Sequence, residues 1–257
     1  MFADERRAKI AEMIRQNNSV STSELTEIFQ VSLETVRRDL ESMEKEGMLR
    51  RVHGGAMSAG KIQKYHDLSR RSTDHQAGKR ELSLVACAYI NNGDYIALDE
   101  GTTALELAKL IRERFQGLTV LTNSLDIFEV LSGNKEIRVI LTGGFYLPEE
   151  KSFYGHPAVD MIGQFHVAKY FITPSAISLN FGISDHIHEM IGVQRAMLEI
   201  ADEIFVLVDS SKFETCAPIK ICGLDSRYTY LTDTDLSEEI FEAYREAGIR
   251  IKKFKDH

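Results

Sequence analysis

The sequence predicts an α/β protein in two parts, an N-terminal winged helix-turn-helix and a larger open, mostly parallel sheet with helices on both faces. Three observations predict it. Apolar residues recur at helical spacing in three short segments at the start; a short alternating stretch with paired glycines follows them; beyond residue 81, short apolar runs alternate with helix-period segments. A chain of 257 residues is long enough for two domains.

The N-terminal elements follow from local chemistry. Ile10, Met13 and Ile14 mark one face of a first helix. Ser21 followed by Glu24 is a capping-box pattern, and Leu25, Ile28 and Phe29 supply the stripe of a second helix that ends in a turn at Gln30 and Val31. A third helix starts at Ser32, carries Val36, Leu40 and Met43 inward, and stops at Gly47. Met48 to Gly55 reads as a short hairpin, the wing. We place the first domain at 1–57, a basic linker at 58–80 containing Lys61, Lys64, Arg70, Arg71, Lys79 and Arg80, and the second domain at 81–257.

In the second domain a helix is expected from Gln76 to Ile90, on Leu82, Leu84, Val85 and Ala88. Strand-like runs follow at Tyr95–Leu98, Leu118–Leu121, Ile137–Leu141, Tyr170–Ile172 and Ile204–Val208, with further candidates at Tyr228–Leu231 and Ile249–Ile251. Helical patterns at Leu105–Ile111, Ile127–Leu131 and Ser237–Ala247 alternate with them, the order of a parallel sheet.

Hydrophobic residues are 43% of the chain and charged residues 27%, the balance of a folded globular protein rather than a disordered one. No run approaches the ~18 apolar residues of a membrane span, and the first thirty residues are too often charged for a signal peptide. A cytoplasmic protein without a membrane partner is expected. Cys87, Cys216 and Cys222 fit neither a disulfide framework nor a zinc pair, and free thiols are expected, the last two in a loop. The net charge of −8 divides into −1 over 1–57, +4 over 58–80 and −11 over 81–257. Any phosphate-binding face of the first domain must therefore come from local clustering.

Such a cluster exists. Ser32, Glu34, Thr35, Arg37 and Arg38 lie near the start of the third helix without being needed for its core, and the first turns of a recognition helix reach base edges in the major groove. Arg37 and Arg38 can each pair with guanine or with phosphate, and Arg50, Arg51 and His53 on the wing add backbone contacts. The plainer reading has these arginines paired with Asp39, Glu41 and Glu44 on a solvated helix. The joint occurrence of helix-turn-helix spacing, an arginine doublet and a basic hairpin favours double-stranded DNA.

The second domain carries a different signal. Asp99-Glu100-Gly101-Thr102-Thr103 follows the first strand and opens a helix, so that glycine, two hydroxyls and free helix N–H groups can surround an anion. Thr122-Asn123-Ser124 follows the second strand, and Thr142-Gly143-Gly144 the third. In a parallel sheet the C-terminal strand ends face one crevice, where these loops converge. Ordinary helix capping explains any one of them.

The run Val31-Ser32-Leu33-Glu34-Thr35-Val36-Arg37-Arg38-Asp39-Leu40, with Glu46-Gly47-Met48-Leu49-Arg50-Arg51-Val52-His53-Gly54-Gly55-Ala56, resembles the signature of the DeoR family of bacterial transcriptional repressors. The second domain is similar to that family's sensor. The resemblance implies an operator-binding repressor of carbohydrate genes released by a phosphorylated sugar or related metabolite, a second domain with the fold of ribose-phosphate isomerases, and an oligomer of at least two chains. It also implies effector contacts at the three loops, at Ser152 and Gly155, and at Asp209-Ser210-Ser211-Lys212-Phe213, with Lys212 the cation near the phosphate. One departure stands out: Gln194 occupies a position where the family commonly has lysine, which bears on effector charge.

Asp185, His186, His188 and Glu189 bunch four metal-ligating side chains, but neighbours on one turn rarely converge, so neither metal nor cofactor is expected; Glu189 is expected to bind a sugar hydroxyl instead. The competing function is a sugar-phosphate isomerase carrying a DNA-binding module, with Asp99, Glu189 and Lys212 as acid-base groups. No paired carboxylates and lysine stand at isomerase motif positions, so a non-enzymatic regulator is the preferred expectation.

Overall fold

A computed structural model describes residues 3–17, 19–45, 48–52, 55–58 and 65–254, and the chain divides into two units, Met1–Ile62 and Gln63–His257. Of the residues singled out above, Glu46, Gly47, His53, Gly54, Lys61 and Lys64 lie outside the described set, as do the side chains of Arg50 and Val52.

In the first unit, helix α1 (Ala3–Asn17) buries Ile10 and Ile14. Strand β1 (Ser19–Ser21) leads into α2 (Thr22–Phe29), which begins with the expected capping box: the Glu24 N–H donates to Ser21 Oγ at 3.0 Å and the Ser21 N–H to Glu24 Oε2 at 3.4 Å. Helix α3 (Leu33–Lys45) turns Val36, Leu40 and Met43 onto Ile10, Leu25 and Phe29. Strands β2 (Leu49–Val52) and β3 (Gly55–Ser58) form the antiparallel wing, and β1 adds to β3 as a third strand. That third strand is too short to carry an alternation in the sequence. It explains Gly55, where a Cβ would stand 2.1 Å from the Val20 carbonyl oxygen.

The expected linker at 58–80 needs correction. Helix α4 (Leu68–Thr73), capped by Asp67 through the Arg70 N–H at 2.9 Å, and helix α5 (Gln76–Cys87) both belong to the second unit. The stretch is poor in apolar residues because polar contacts anchor it, which composition alone reads as a connector.

The second unit is built on seven parallel strands: β4 (Tyr95–Leu98), β5 (Thr119–Thr122), β6 (Arg138–Leu141), β9 (Val167–Ile172), β12 (Ala201–Leu207), β14 (Thr229–Thr232) and β15 (Arg250–Lys253), in the order β15-β14-β12-β9-β4-β5-β6. Alternate residues face opposite layers. Ile96, Leu98, Phe171, Phe205 and Leu207 pack with α5, α6 (Thr102–Arg114) and α7 (Leu125–Ser132); Ala97, Tyr170, Ile172, Ile204 and Val206 pack with α8 (His156–Ile162), α9 (His188–Glu199) and α10 (Glu238–Glu246). Both faces are thus covered, as the sequence order requires. The sequence reading did not contain the hairpin β7 (Phe145–Leu147) with β8 (Ser152–Tyr154), nor the small antiparallel sheet of β10 (Ala176–Ser178), β11 (Gly182–Asp185) and β13 (Ile219–Cys222). Cys222 therefore lies in a strand rather than a loop, and the three described cysteines are free. No helix among the described residues is long and apolar enough to cross a membrane.

Candidate functional site

At the start of α3, Ser32 Oγ accepts from the Thr35 N–H at 3.2 Å and lies 2.9 Å from Thr35 Oγ1, so the two hydroxyls cap the helix. Ser32, Glu34, Arg37 and Arg38 are exposed and Thr35 is half-buried. The acidic residues that could neutralise the arginines are engaged elsewhere. Asp39 is buried against Arg6, with its Oδ2 at 2.5 Å from Arg6 Nε, and Arg7 Nε stands 3.5 Å from its other oxygen. Glu41 pairs with Lys45 at 2.9 Å, and Glu44 Oε1 accepts from the Arg51 N–H at 2.7 Å, tying the wing to α3. Neither Arg37 nor Arg38 has an ion-pair partner among the described residues. Two uncommitted guanidinium groups stand on the outer face of the helix, and Arg51 is exposed on the wing.

In the second unit the parallel strands carry the predicted loops to one edge of the sheet. After β4, Asp99 is fully buried and Gly101 takes φ 103°, a conformation that favours glycine. Gly101 starts α6 with no side chain capping it, leaving the N–H groups of its first turn open, with Thr102 half-buried and Thr103 buried beside them. After β9, the Thr173 N–H donates to Asp99 Oδ2 at 3.0 Å and its hydroxyl to the Glu100 carbonyl at 2.7 Å. Lys212, in the short helical turn Ser210–Lys212 after β12, donates from Nζ to the Pro174 carbonyl at 2.8 Å. A cation, an uncapped helix start and two threonines thus stand at the C-terminal ends of β12 and β4, on either side of β9.

Beneath them lies a carboxyl cluster. Gln194 of α9 is fully buried, and its Nε2 donates to Asp99 Oδ2 at 3.3 Å and to Asp185 Oδ2 at 3.5 Å. Asp185 also accepts from the Ser175 hydroxyl at 2.8 Å and the His186 N–H at 2.6 Å. Burial pushes Asp99 above the usual carboxylate range, and burial together with the Asp99 charge pushes Glu100 well above it. Among the described residues Asp99 Oδ1 and Glu100 Oε2 have no hydrogen-bond partner. Burial beside the same two acids raises the Tyr170 phenol.

The second and third loops form a separate group. Thr122 Oγ1 accepts from the Ser124 N–H at 3.1 Å and Ser124 Oγ caps α7 through the Ile127 N–H at 3.4 Å, so the capping reading describes these two residues. Asn123 Nδ2 donates to the Phe153 carbonyl at 3.2 Å and approaches Met190 Sδ at 3.5 Å, one turn before Gln194 on α9. Ser152 is buried and bridges to Ser124. Gly144 has φ 123°, with Tyr154 O only 2.4 Å from where a Cβ would lie; Gly143 is exposed. Gly155, at φ 88°, begins α8 without a side-chain cap.

The segment that opens the second unit is fastened to this group. Glu150, two residues before Ser152, is buried; its Oε1 accepts from the Tyr65 hydroxyl at 2.7 Å and its Oε2 is ion-paired with Arg71 of α4. The Tyr65 ring packs edge-on to His186, centroids 5.9 Å apart, and Arg71 lies over it at 5.8 Å.

Two family models match the chain: the DeoR-like helix-turn-helix domain over residues 6–61 and the DeoR C-terminal sensor domain over residues 74–234. The chain belongs to the DeoR family. It is a transcriptional regulator with an N-terminal DNA-binding domain and a C-terminal sensor domain. It is 34% identical over 251 residues to the uncharacterized HTH-type transcriptional regulator YulB of Bacillus subtilis (strain 168), covering 98% of this chain and 96% of that protein. It is 31% identical to the lactose phosphotransferase system repressor of Lactococcus lactis subsp. lactis, covering 92% and 93%. Ribose 5-phosphate isomerase A from Neisseria gonorrhoeae gives a TM-score of 0.40 at 12% identity over 53% of each chain, a partial likeness.

In this DeoR-family sensor the structure brings Asp99, Gly101, Thr102, Thr103 and Lys212 to one place and Thr122, Asn123, Ser124 and Ser152 to another, linked by α9. Glu189 and His188 are exposed at the start of α9, away from the buried face that carries Gln194. Among the described residues no three His, Cys, Asp or Glu side chains are placed to share a metal ion. Thr173 and Pro174 escaped the sequence reading although they follow the run Tyr170–Ile172 as the other loops follow theirs; the same strand-end rule would have found them. Glu150 left no signal, because its partners lie 79 and 85 residues away.

Proposed function

We propose that this regulator represses a carbohydrate-metabolism operon by binding double-stranded operator DNA, and that a phosphorylated sugar or related metabolite bound in the second unit releases it. The observation that carries the reading is the placing of an uncapped α6 start, Thr102, Thr103 and Lys212 at the C-terminal ends of β4 and β12, on either side of β9, an arrangement suited to a phosphoryl group. Asp99, Asn123 and Ser152 supply polar groups for sugar hydroxyls, with Gly143, Gly144 and Gly155 allowing close backbone approach; Glu189 supplies a carboxylate from the rim. The relative named for the lactose phosphotransferase system supports a carbohydrate role.

On the DNA side, Arg37 and Arg38 read base edges or phosphates, Ser32 and Thr35 approach the backbone, and Arg50, Arg51 and His53 hold the flanking phosphates. The protein acts in the cytoplasm as a homo-oligomer of at least two chains, since paired half-sites call for symmetry. Release requires the effector to prefer the conformation that binds DNA poorly. The route is the Glu150 contact with Tyr65 and Arg71, which joins the Ser152 loop to the segment following the DNA-binding unit.

Calorimetric titration against sugar phosphates, the parent sugars and inorganic phosphate tests the effector half. Binding of a sugar phosphate that is lost in Thr102→Ala supports the reading. Binding of an unphosphorylated sugar alone, or no binding to any member, contradicts it.

A further inference from the structure

Lys79 lies in the basic stretch whose sequence suggests DNA or solvent, yet only 5% of the residue is exposed. Its Nζ donates to the backbone carbonyls of Arg71 and of Asp74, the latter at 2.7 Å, both at the C-terminal end of α4. It has no ion-pair partner among the described residues. A buried ammonium without a counter-anion is unfavourable, and folded proteins normally pair such a charge.

The surroundings of Lys79 add to the imbalance. Lys212 and Arg71 face it as like charges, against Asp209 and Asp74. Arg71 is already committed to Glu150, and the Asp209 carboxylate accepts from the Ser211 N–H at 3.1 Å. The backbone fixes this proximity. A Cβ on Gly78 would stand 2.7 Å from Asp233 Oδ2, and Asp233 in turn accepts from the Ser210 N–H at 3.2 Å, so the start of α5 abuts the turn that carries Lys212.

We propose that Lys79 is a second anion-binding residue of the sensor: the effector's phosphoryl group is held between the ammonium groups of Lys79 and Lys212, and its arrival draws Lys79 away from the carbonyls that end α4. The inference rests on the sugar-phosphate reading above and extends it by a residue from the entry segment. It also gives the anion a direct mechanical consequence, because α4 loses two hydrogen bonds at the point where the chain enters the second unit.

Burial, and then the Lys212 charge, lower the Lys79 ammonium to about 8. A bound anion favours the protonated form, so binding near pH 8 must take up protons from solution. The test is calorimetry with inorganic phosphate on the full chain at pH 8 in two buffers of different ionisation enthalpy, repeated from pH 7.5 to 10. Wild type should take up about half a proton per phosphate at pH 8 and lose affinity by up to about tenfold per unit above it. Lys79→Arg should keep the affinity and lose the pH dependence over this range, since guanidinium stays charged. Lys79→Met should bind at least about tenfold more weakly at pH 7.5.

Phosphate binding without proton uptake in wild type overturns the proposal and needs no variant to fold. Unchanged affinity in Lys79→Met overturns it as well while leaving the sugar-phosphate reading intact. A wild-type protein that binds neither phosphate nor any sugar phosphate overturns both.

Discussion

Gln194 Nε2 donates to Asp99 Oδ2 at 3.3 Å, joining α9 to the end of β4 in the interior of the sensor. The same Nε2 donates to Asp185 Oδ2 at 3.5 Å, so one neutral amide serves two carboxylates where a lysine would neutralise them. Gln194→Leu leaves both acids without that donor and should destabilise the sensor by about 1–3 kcal/mol in urea unfolding. A loss below the error of the method would mean that the amide contributes nothing.

Glu100 should make the sensor less stable as pH rises. Its folded-state value lies well above the ordinary 4.5, so the folded form binds a proton that the unfolded form has released, and the stabilisation present at low pH is lost as the group titrates. Glu100→Gln replaces the carboxyl proton with an amide N–H donor and cannot ionise. Its melting temperature should gain on that of wild type steadily from pH 5 to pH 8, and parallel curves would show that Glu100 does not hold the proton.

The buried pair of Arg6 and Asp39 ties α1 to the recognition helix. Removing one partner strands the other charge, so Asp39→Ala should cost about 3–5 kcal/mol and abolish DNA binding by unfolding the first unit. Circular dichroism that is unchanged in this variant would contradict the assignment.

Arg37→Ala and Arg38→Ala should leave stability unaltered, because neither guanidinium has an ion pair among the described residues to lose. If a given arginine reads a base, specific binding weakens by roughly 1–3 kcal/mol while binding to random DNA changes little. Equal losses on both would assign that arginine to phosphate, and no loss in either variant would remove α3 from the interface.

Tyr65→Phe deletes the hydroxyl that Glu150 accepts while keeping the ring against His186. Effector affinity should stay near wild type, and the effector-induced drop in DNA affinity should shrink. A full-sized drop in Tyr65→Phe and in Glu150→Gln alike would exclude this contact as the coupling route.

Much of the fold is legible because the inner sheet strands β4, β5, β9 and β12 are largely buried on both faces and read as apolar runs, Ile204–Val208 being the clearest, whereas the edge strand β15 buries Ile251 alone of its four residues. The three-residue strands β1, β7, β8 and β10 are shorter than any periodicity can register. The candidate site is legible where it obeys a strand-end rule, as at Asp99 and Gly101. It is illegible where a contact joins distant segments. Gln194 stands out only as a departure from a family pattern, and its Asp99 partner is 95 residues away. Lys79 looks like one more charge in a basic run, and only its burial distinguishes it from Arg80, which is exposed.

The central claim is that an anion held at Lys212 and the start of α6 governs binding by α3. The most direct measurement is fluorescence anisotropy of a DNA fragment selected for specific binding, titrated with the protein in the presence of each sugar phosphate. One member of the panel should weaken wild-type binding about 5- to 150-fold, the range of an ordinary allosteric coupling, while Lys212→Ala binds the same DNA as tightly as wild type and ignores the ligand. Wild-type DNA affinity that no sugar phosphate alters, or a Lys212→Ala variant that responds in full, would contradict it.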